Sequence, residues 1–203
     1  AGRELPLFTT PVVYSRVTWG PQGSVLCYAR NADNGPYRDI YLYDLDEERE
    51  RRVTWQARAK DPVLSPDGSS IAFVHNDRGS QNLVVVDADG TNRRKLTNFN
   101  DGTLLYAPNW TPDGSRLIFG ILAGHNRDIA MVDVDAAAFE RGKVLEDSTF
   151  FPDSLSFNED LQFVLVVHTA ADERDPCLSP DGRFLYYASD RTGIFNIYRM
   201  DLE

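Results

Sequence analysis

The chain has 203 residues, 42% hydrophobic and 11% aromatic, enough for one ordinary domain or two small ones with a real core and too apolar for a disordered segment. Its formal charge of −10 argues against a nucleic-acid backbone or an anionic membrane as partner. No apolar run approaches the ~18 residues of a membrane helix, and two cysteines, Cys27 and Cys177, imply no disulfide framework. Both lie in strand-like segments and read as buried free thiols.

The chain opens AGRELPLF, with neither Met nor a signal-peptide pattern, which fits a processed protein or a piece of a longer one. Residues 3–10, RELPLFTT, read as a fourth strand set ahead of the first unit, because Thr10 leads Val17 by seven positions as Thr169 leads Pro176. Four units then follow, at about 11–55, 56–98, 99–169 and 170–203. Their shared phrase is DPVLSPDGSSIAF at 61–73, APNWTPDGSRLIF at 107–119 and DPCLSPDGRFLYY at 175–187, with a weaker copy around TWGPQG in the first unit.

The intervals repeat as well as the words. Six positions separate Pro62 from Gly68, Pro108 from Gly114 and Pro176 from Gly182; fourteen more lead to Asn82, Asp128 and Asn196. In the first unit the second interval is sixteen, from Gly23 to Asp39. Five residues further stand Asp44, Asp87, Asp133 and Asp201, and ten beyond that Thr54 and Thr97. Each unit resolves into four expected strands: a short one ending at the Ser-Pro-Asp-Gly turn, one after it (SVLCYA, SIAFVH, RLIFGI, FLYYAS), one between the two polar marks, and one at RRVTW or RKLTN. Pro presets φ, Asp bonds locally and Gly accepts positive φ, so the phrase suits a tight turn; Asp89-Gly90 marks a second hairpin.

In the third unit thirty-six residues, not ten, separate Asp133 from Thr169. The excess is an insertion at about 136–161 in the third-to-fourth-strand hairpin, which loops absorb at small cost. Its FFPDSLSF stretch is apolar enough to cover a neighbouring unit or a partner. The final unit stops at Asp201-Leu202-Glu203, ahead of its fourth strand. Either residues 3–10 close a ring of four, or the chain is part of a larger ring of six to eight; the reading favours the second.

Four-stranded units at a period of ~45 residues are the signature of an all-β fold, the β-propeller of four-stranded antiparallel blades. A β-sandwich is the alternative, but it does not require the same residues in every unit. S/T-P-D-G, [DN]-I-Y-x-x-D and R-x-L-T recurring in order resemble the TolB-type propeller repeat, a relative of the tryptophan–aspartate repeat, over most of residues 14–203. The first unit departs with GPQG, and the third with its insertion. The resemblance implies a propeller of bacterial envelope proteins, periplasmic in the Tol system and binding other proteins, including a peptidoglycan-associated lipoprotein. More weakly it is similar to propellers that gate serine peptidases of the prolyl oligopeptidase type. Such a repeat identifies architecture better than task.

Chemistry is sparse. There is no G-x-S-x-G elbow, no H-E-x-x-H and no phosphate-cradling G-x-x-x-x-G-K. His75, His125 and His168 are scattered and do not match metal-ligand spacing. The pairs Asp44/Asp46, Asp87/Asp89 and Asp133/Asp135 recur at one unit position and read as turn formers. No catalytic residue, metal site or cofactor is expected. Asp61 and Asp175 are the only obvious acids at channel-facing strand starts, so a ligand-binding enzyme ranks last.

In an up-and-down blade the S-P-D-G turns and third-to-fourth hairpins share an acidic face. The second-to-third loops and inter-blade links share the other, which mixes Arg, Asp, Asn and aromatic groups. Arg and aromatic side chains dominate protein-binding hot spots. Tyr37, Arg38, Arg58, Tyr106, Arg127, Arg174, Arg191 and Phe195 are therefore the candidate contact surface. The competing reading is that these Arg–Asp neighbours only knit adjacent blades, especially Arg127-Asp128 and Arg174-Asp175. The expectation is a non-catalytic protein-interaction module of a bacterial cell envelope, its partners being envelope proteins or the rest of a larger chain. The alternative is an accessory, gating domain of a peptidase whose catalytic domain lies outside this chain.

Overall fold

The computed structural model describes residues 14–32, 35–135 and 163–202. All regular structure among them is strand. Blade 1 is the antiparallel meander β1 (Tyr14–Trp19), β2 (Val25–Asn31), β3 (Arg38–Asp44) and β4 (Arg49–Arg52). Blade 2 is β5 (Ala59–Leu64), β6 (Ser70–Asp77), β7 (Ser80–Asp87) and β8 (Arg94–Lys95). Blade 3 is β9 (Leu104–Trp110), β10 (Arg116–Leu122), β11 (Arg127–Asp133) and β12 (Phe163–Val167); blade 4 has β13 (Glu173–Leu178), β14 (Phe184–Ser189) and β15 (Asn196–Asp201). The strands β1, β5, β9 and β13 lie side by side, each against the next, so the blades succeed one another as in a propeller and not as two stacked layers. Residues 3–10 and the insertion at 136–161 lie outside the described residues.

The core is a series of blade-to-blade joints. Successive strand residues point to opposite faces. Cys27, Ala29, Ile40 and Leu42 of blade 1 therefore meet Ile71, Phe73, Val84 and Val86 of blade 2. The alternate residues Ala72, Val74, Leu83 and Val85 meet Leu117, Phe119 and Val132 of blade 3. A middle blade is covered on both faces, which is why β7 is buried from Ser80 to Val86 and its Leu83–Val86 stretch is apolar without polar alternation. Each large side chain so enclosed contributes about 1.5–3 kcal/mol.

The recurring turn explains its own composition. Asp67 Oδ1 accepts hydrogen bonds from Ser65 Oγ (2.6 Å) and the Ser69 amide (3.0 Å), holding the carboxyl down to about pKa 2. Gly68, Gly114 and Gly182 have φ of 75°, 73° and 75°, the left-handed region that a side chain disfavours. The same glycines also make the joint: a Cβ on Gly68 would lie 3.4 Å from Pro21, on Gly114 3.7 Å from Pro66, and on Gly182 3.6 Å from Pro112. Each turn thus seats its Gly against the Pro of the preceding blade's turn.

Polar rivets reinforce the joints. Thr18 Oγ1 donates to Pro62 O (2.9 Å), Asn109 Nδ2 donates to Pro176 O (2.8 Å), and Trp110 Nε1 reaches back to Val63 O (3.1 Å). In blades 1 and 2 the recurring Asp/Asn and Thr form a clasp. Asp39 Oδ1 accepts from Thr54 Oγ1 (3.2 Å) and the Ala57 amide (2.8 Å); Asn82 Oδ1 accepts from Thr97 Oγ1 (3.1 Å) and the Phe99 amide (2.6 Å).

Three sequence expectations are corrected in detail. The first strands are longer than the short segments expected, and those of blades 2, 3 and 4 each cross a β-bulge at the residue before the Pro. The fourth strands β4 and β8 end before Thr54 and Thr97, whose hydroxyls bond the neighbouring amides Ile40 N and Leu83 N as clasps. Cys27 is fully buried, with its thiol pushed up to about 12, but Cys177 is exposed, because the face of blade 4 that carries it has no described neighbour.

Candidate protein-interaction face

The meander puts the β2–β3, β6–β7 and β10–β11 loops and the inter-blade links at one end of every blade. Tyr37 and Arg38 come from the first such loop, Arg58 from the link into β5, Lys60 and Tyr106 from the starts of β5 and β9, and Arg127 from the start of β11. Arg58 stacks 4.5 Å above the Tyr37 ring and donates to its hydroxyl at 3.1 Å. Lys60 Nζ and the Arg127 guanidinium lie 4.5 and 4.6 Å from the Tyr106 ring. Tyr37, Arg38, Arg58 and Lys60 line an open groove of about 730 Å³.

This is a focus of positive charge on an acidic protein. Burial lowers the pKa of Lys60; Asp61, 3.9 Å away, opposes that, and Arg127 and Arg38 lower it further. A negatively charged group entering the groove would relieve that repulsion. Lys60 was not among the sequence candidates. The signal available was its place immediately before an Asp-Pro pair, where the bulge turns the strand.

The remaining candidates form a second group on blade 4. Arg174 lies 4.4 Å from the Phe195 ring and bonds Asp172 through Nε (3.0 Å). Arg191 lies 4.3 Å from the Tyr198 ring and donates to Tyr187 Oη (2.9 Å). Asp172 also accepts from the Arg127 amide (3.2 Å), so the two groups are tied through one carboxylate. Arg127 and Arg174 therefore meet at Asp172, in the link between blades 3 and 4; the competing sequence reading paired them with Asp128 and Asp175. Tyr37, Arg38 and Arg58 lie apart from that meeting point.

A polar cluster that includes a fully buried carboxyl lies beside this second group. Glu173 is fully buried; its Oε1 accepts from Thr169 Oγ1 (2.6 Å) and Ser189 Oγ (3.2 Å), with Arg191 at 3.6 Å. Burial raises its pKa, the two hydroxyls oppose the rise, and Asp128 nearby adds to it. His168 Nδ1 lies 2.9 Å from Asp128 Oδ1, close but poorly aligned for a hydrogen bond. Sequence reasoning missed Glu173. It occupies the position held by Ala59 and Leu105, and that departure from an apolar position was the available signal. Asp61 and Asp175 share the bulge position with Ala107, all at positive φ (51°, 52° and 45°), so their common feature is backbone geometry.

Comparison with known proteins identifies the fold family. The chain is 26% identical over 194 residues to the uncharacterized peptidase YuxL of Bacillus subtilis, covering 86% of this chain and 29% of that protein. It is 28% identical over 109 residues to the Tol-Pal system protein TolB of Anaeromyxobacter dehalogenans, covering 54% of this chain and 24% of that protein. Among solved structures, a putative TolB from Agrobacterium tumefaciens superposes with a TM-score of 0.70 at 22% identity, covering 97% of this chain and 61% of that one. The chain thus spans less than two thirds of the length of each of these relatives, and under a third of the two curated ones. The model of the TolB beta propeller domain matches residues 7–150, and the chain belongs to that family.

Proposed function

We propose that this propeller is a non-catalytic protein-interaction module that receives an acidic segment of a protein partner on its loop-bearing face. The observation that carries the reading is the convergence of Arg38, Arg58, Lys60 and Arg127 around Tyr37 and Tyr106. Arg and Tyr combine cation–π, hydrogen-bonding and apolar contact at small entropic cost, and the local charge opposes the −10 of the whole chain. The likeness to Tol-Pal system proteins supports a bacterial envelope, periplasmic setting. The test is capture of partners from a bacterial envelope extract by the wild type and by a triple Arg38→Glu, Arg58→Glu, Lys60→Glu variant. The variant loses the captured protein while melting like the wild type; undiminished capture refutes this face.

A second reading has its own support. The likeness to a peptidase over most of this chain, but only 29% of that protein, fits a propeller that serves a catalytic domain elsewhere. In that case the same face would meet the catalytic domain, and a hydrolase elbow in a longer form of the protein would decide for it.

A further inference from the structure

The joint between blades 1 and 2 and the joint between blades 3 and 4 place cations at the same two positions. Counting from the bulge residues Asp61 and Asp175, Lys60 is equivalent to Arg174; counting from Asp39 and Asp128, Arg38 is equivalent to Arg127. Each pair sets the start of one blade's third strand beside the start of the next blade's first. The bulge Asp is common to both joints. The position two before the second cation is not: it holds Asp172 in the later joint and Arg58 in the earlier one.

In the later joint the acid sits between the cations. Asp172 Oδ2 accepts from Arg174 Nε at 3.0 Å and lies 3.9 Å from Arg127 Nη1, while its Oδ1 accepts from the Arg127 amide at 3.2 Å. In the earlier joint Arg58 has left-handed backbone, φ 49°, and its guanidinium lies over the Tyr37 ring as a third cation. The groove there is lined by no carboxylate, and Arg78 adds a fourth positive side chain. Among the described residues no ion pair forms at Arg38 or Arg58, whereas Arg30, Arg52 and Arg116 each have a carboxylate within 3.0 Å. In a chain with 31 acidic residues against 21 basic ones, cations gathered without an acid fit an acid from outside.

We propose, resting on the loop-bearing face as the docking surface, that one carboxylate of the partner's acidic segment binds between Arg38 and Lys60, in the place that Asp172 takes between Arg127 and Arg174. Arg58, held against Tyr37, stands at the rim of this seat and selects for negative charge. The chain's own later joint is the example of the occupant's chemistry: a carboxylate shared by a guanidinium fork and a second cation.

The test follows a capped penta-aspartate peptide on the 203-residue chain by NMR at constant ionic strength. The peptide shifts Arg38, Arg58 and Lys60 and leaves Arg127 and Arg174 unmoved. Arg58→Asp supplies the acid from within and weakens binding about tenfold or more, while Arg58→Gln, which removes the same cation without supplying an acid, weakens it about threefold. Asp172→Asn does the reverse and opens a second response at Arg127 and Arg174; if that variant unfolds, the Arg58 pair decides alone. A peptide that leaves the groove unmoved, equal losses in the two Arg58 variants, or a folded Asp172→Asn protein silent at Arg127 and Arg174 overturns the seat. Failure of the seat is separable from failure of the face. A partner captured from extract by the wild type and by Arg58→Asp alike, but lost by the triple Glu variant, overturns the seat and keeps the face; a partner that the triple variant also retains refutes both.

Discussion

The joint between blades 1 and 2 and the joint between blades 3 and 4 are made on one plan with different materials. The first is apolar throughout, with Cys27, Ala29, Ile40, Ile71, Phe73 and Val84 at or near zero exposure and a neat Asp39–Thr54 clasp at its rim. The second has fewer fully enclosed apolar residues and admits Glu173, Ser189, Asp128 and His168 at its upper end. There Thr169 gives its hydroxyl to Glu173, where Thr54 and Thr97 serve Asp39 and Asn82. The difference teaches that turn and strand positions fix the frame, while the loop-proximal end of a joint can take on polar residues without losing the fold.

Four changes would sharpen or break this contrast. Phe73→Ala opens a cavity in the apolar joint and should cost about 3–5 kcal/mol in denaturant unfolding; a loss under ~1 kcal/mol would mean that the joint is not the core. Trp110→Phe keeps the ring but deletes the bond to Val63 O, leaving that carbonyl without the indole, and should cost about 0.5–1.5 kcal/mol. Glu173→Gln should act with the opposite sign, stabilising the protein at neutral pH by about 1 kcal/mol, because burial penalises the charged form of the carboxyl and an amide carries no charge. Its raised pKa means that the carboxyl's contribution is fully present below the ordinary glutamate range and is lost as pH rises through the folded-state value. Stability curves of wild type and variant should therefore converge on acidification; parallel curves would remove burial as the cause.

Asp67→Asn should have the smallest effect, a loss of about 0.5–1 kcal/mol, since the amide oxygen can still accept from the turn. The sign of its pH dependence is reversed. A carboxyl held at about pKa 2 contributes stability above the ordinary aspartate range, and that contribution fades as pH falls toward 2. Melting the two proteins between neutral and acid pH should show the wild type losing its advantage on that descent.

Much of this was legible in the residues. The S-P-D-G phrase with its intervals locates β6, β10 and β14 and their turns, because Pro, Asp and Gly each act locally there. The bulges were not legible. Ala107 shares no side-chain chemistry with Asp61 and Asp175, and positive φ just before Pro runs against local preference, so sheet pairing imposes it. The contact face was half legible. Its Arg and Tyr residues stand out by type, but Lys60 joins them only through the bulge, and the bracing role of Asp172 depends on two blades meeting. Cys177 misled because burial in a repeat depends on having a neighbour, which a strand's own sequence does not encode.

The stacking of each turn glycine on the previous proline has a consequence for how such molecules come to exist. A duplicated stretch of gene spanning one unit would encode a piece already shaped to sit between any two others, since it brings a proline for its successor and a glycine for its predecessor. Lineages could then lengthen or shorten the stack in whole steps while the loops at one rim diverge independently.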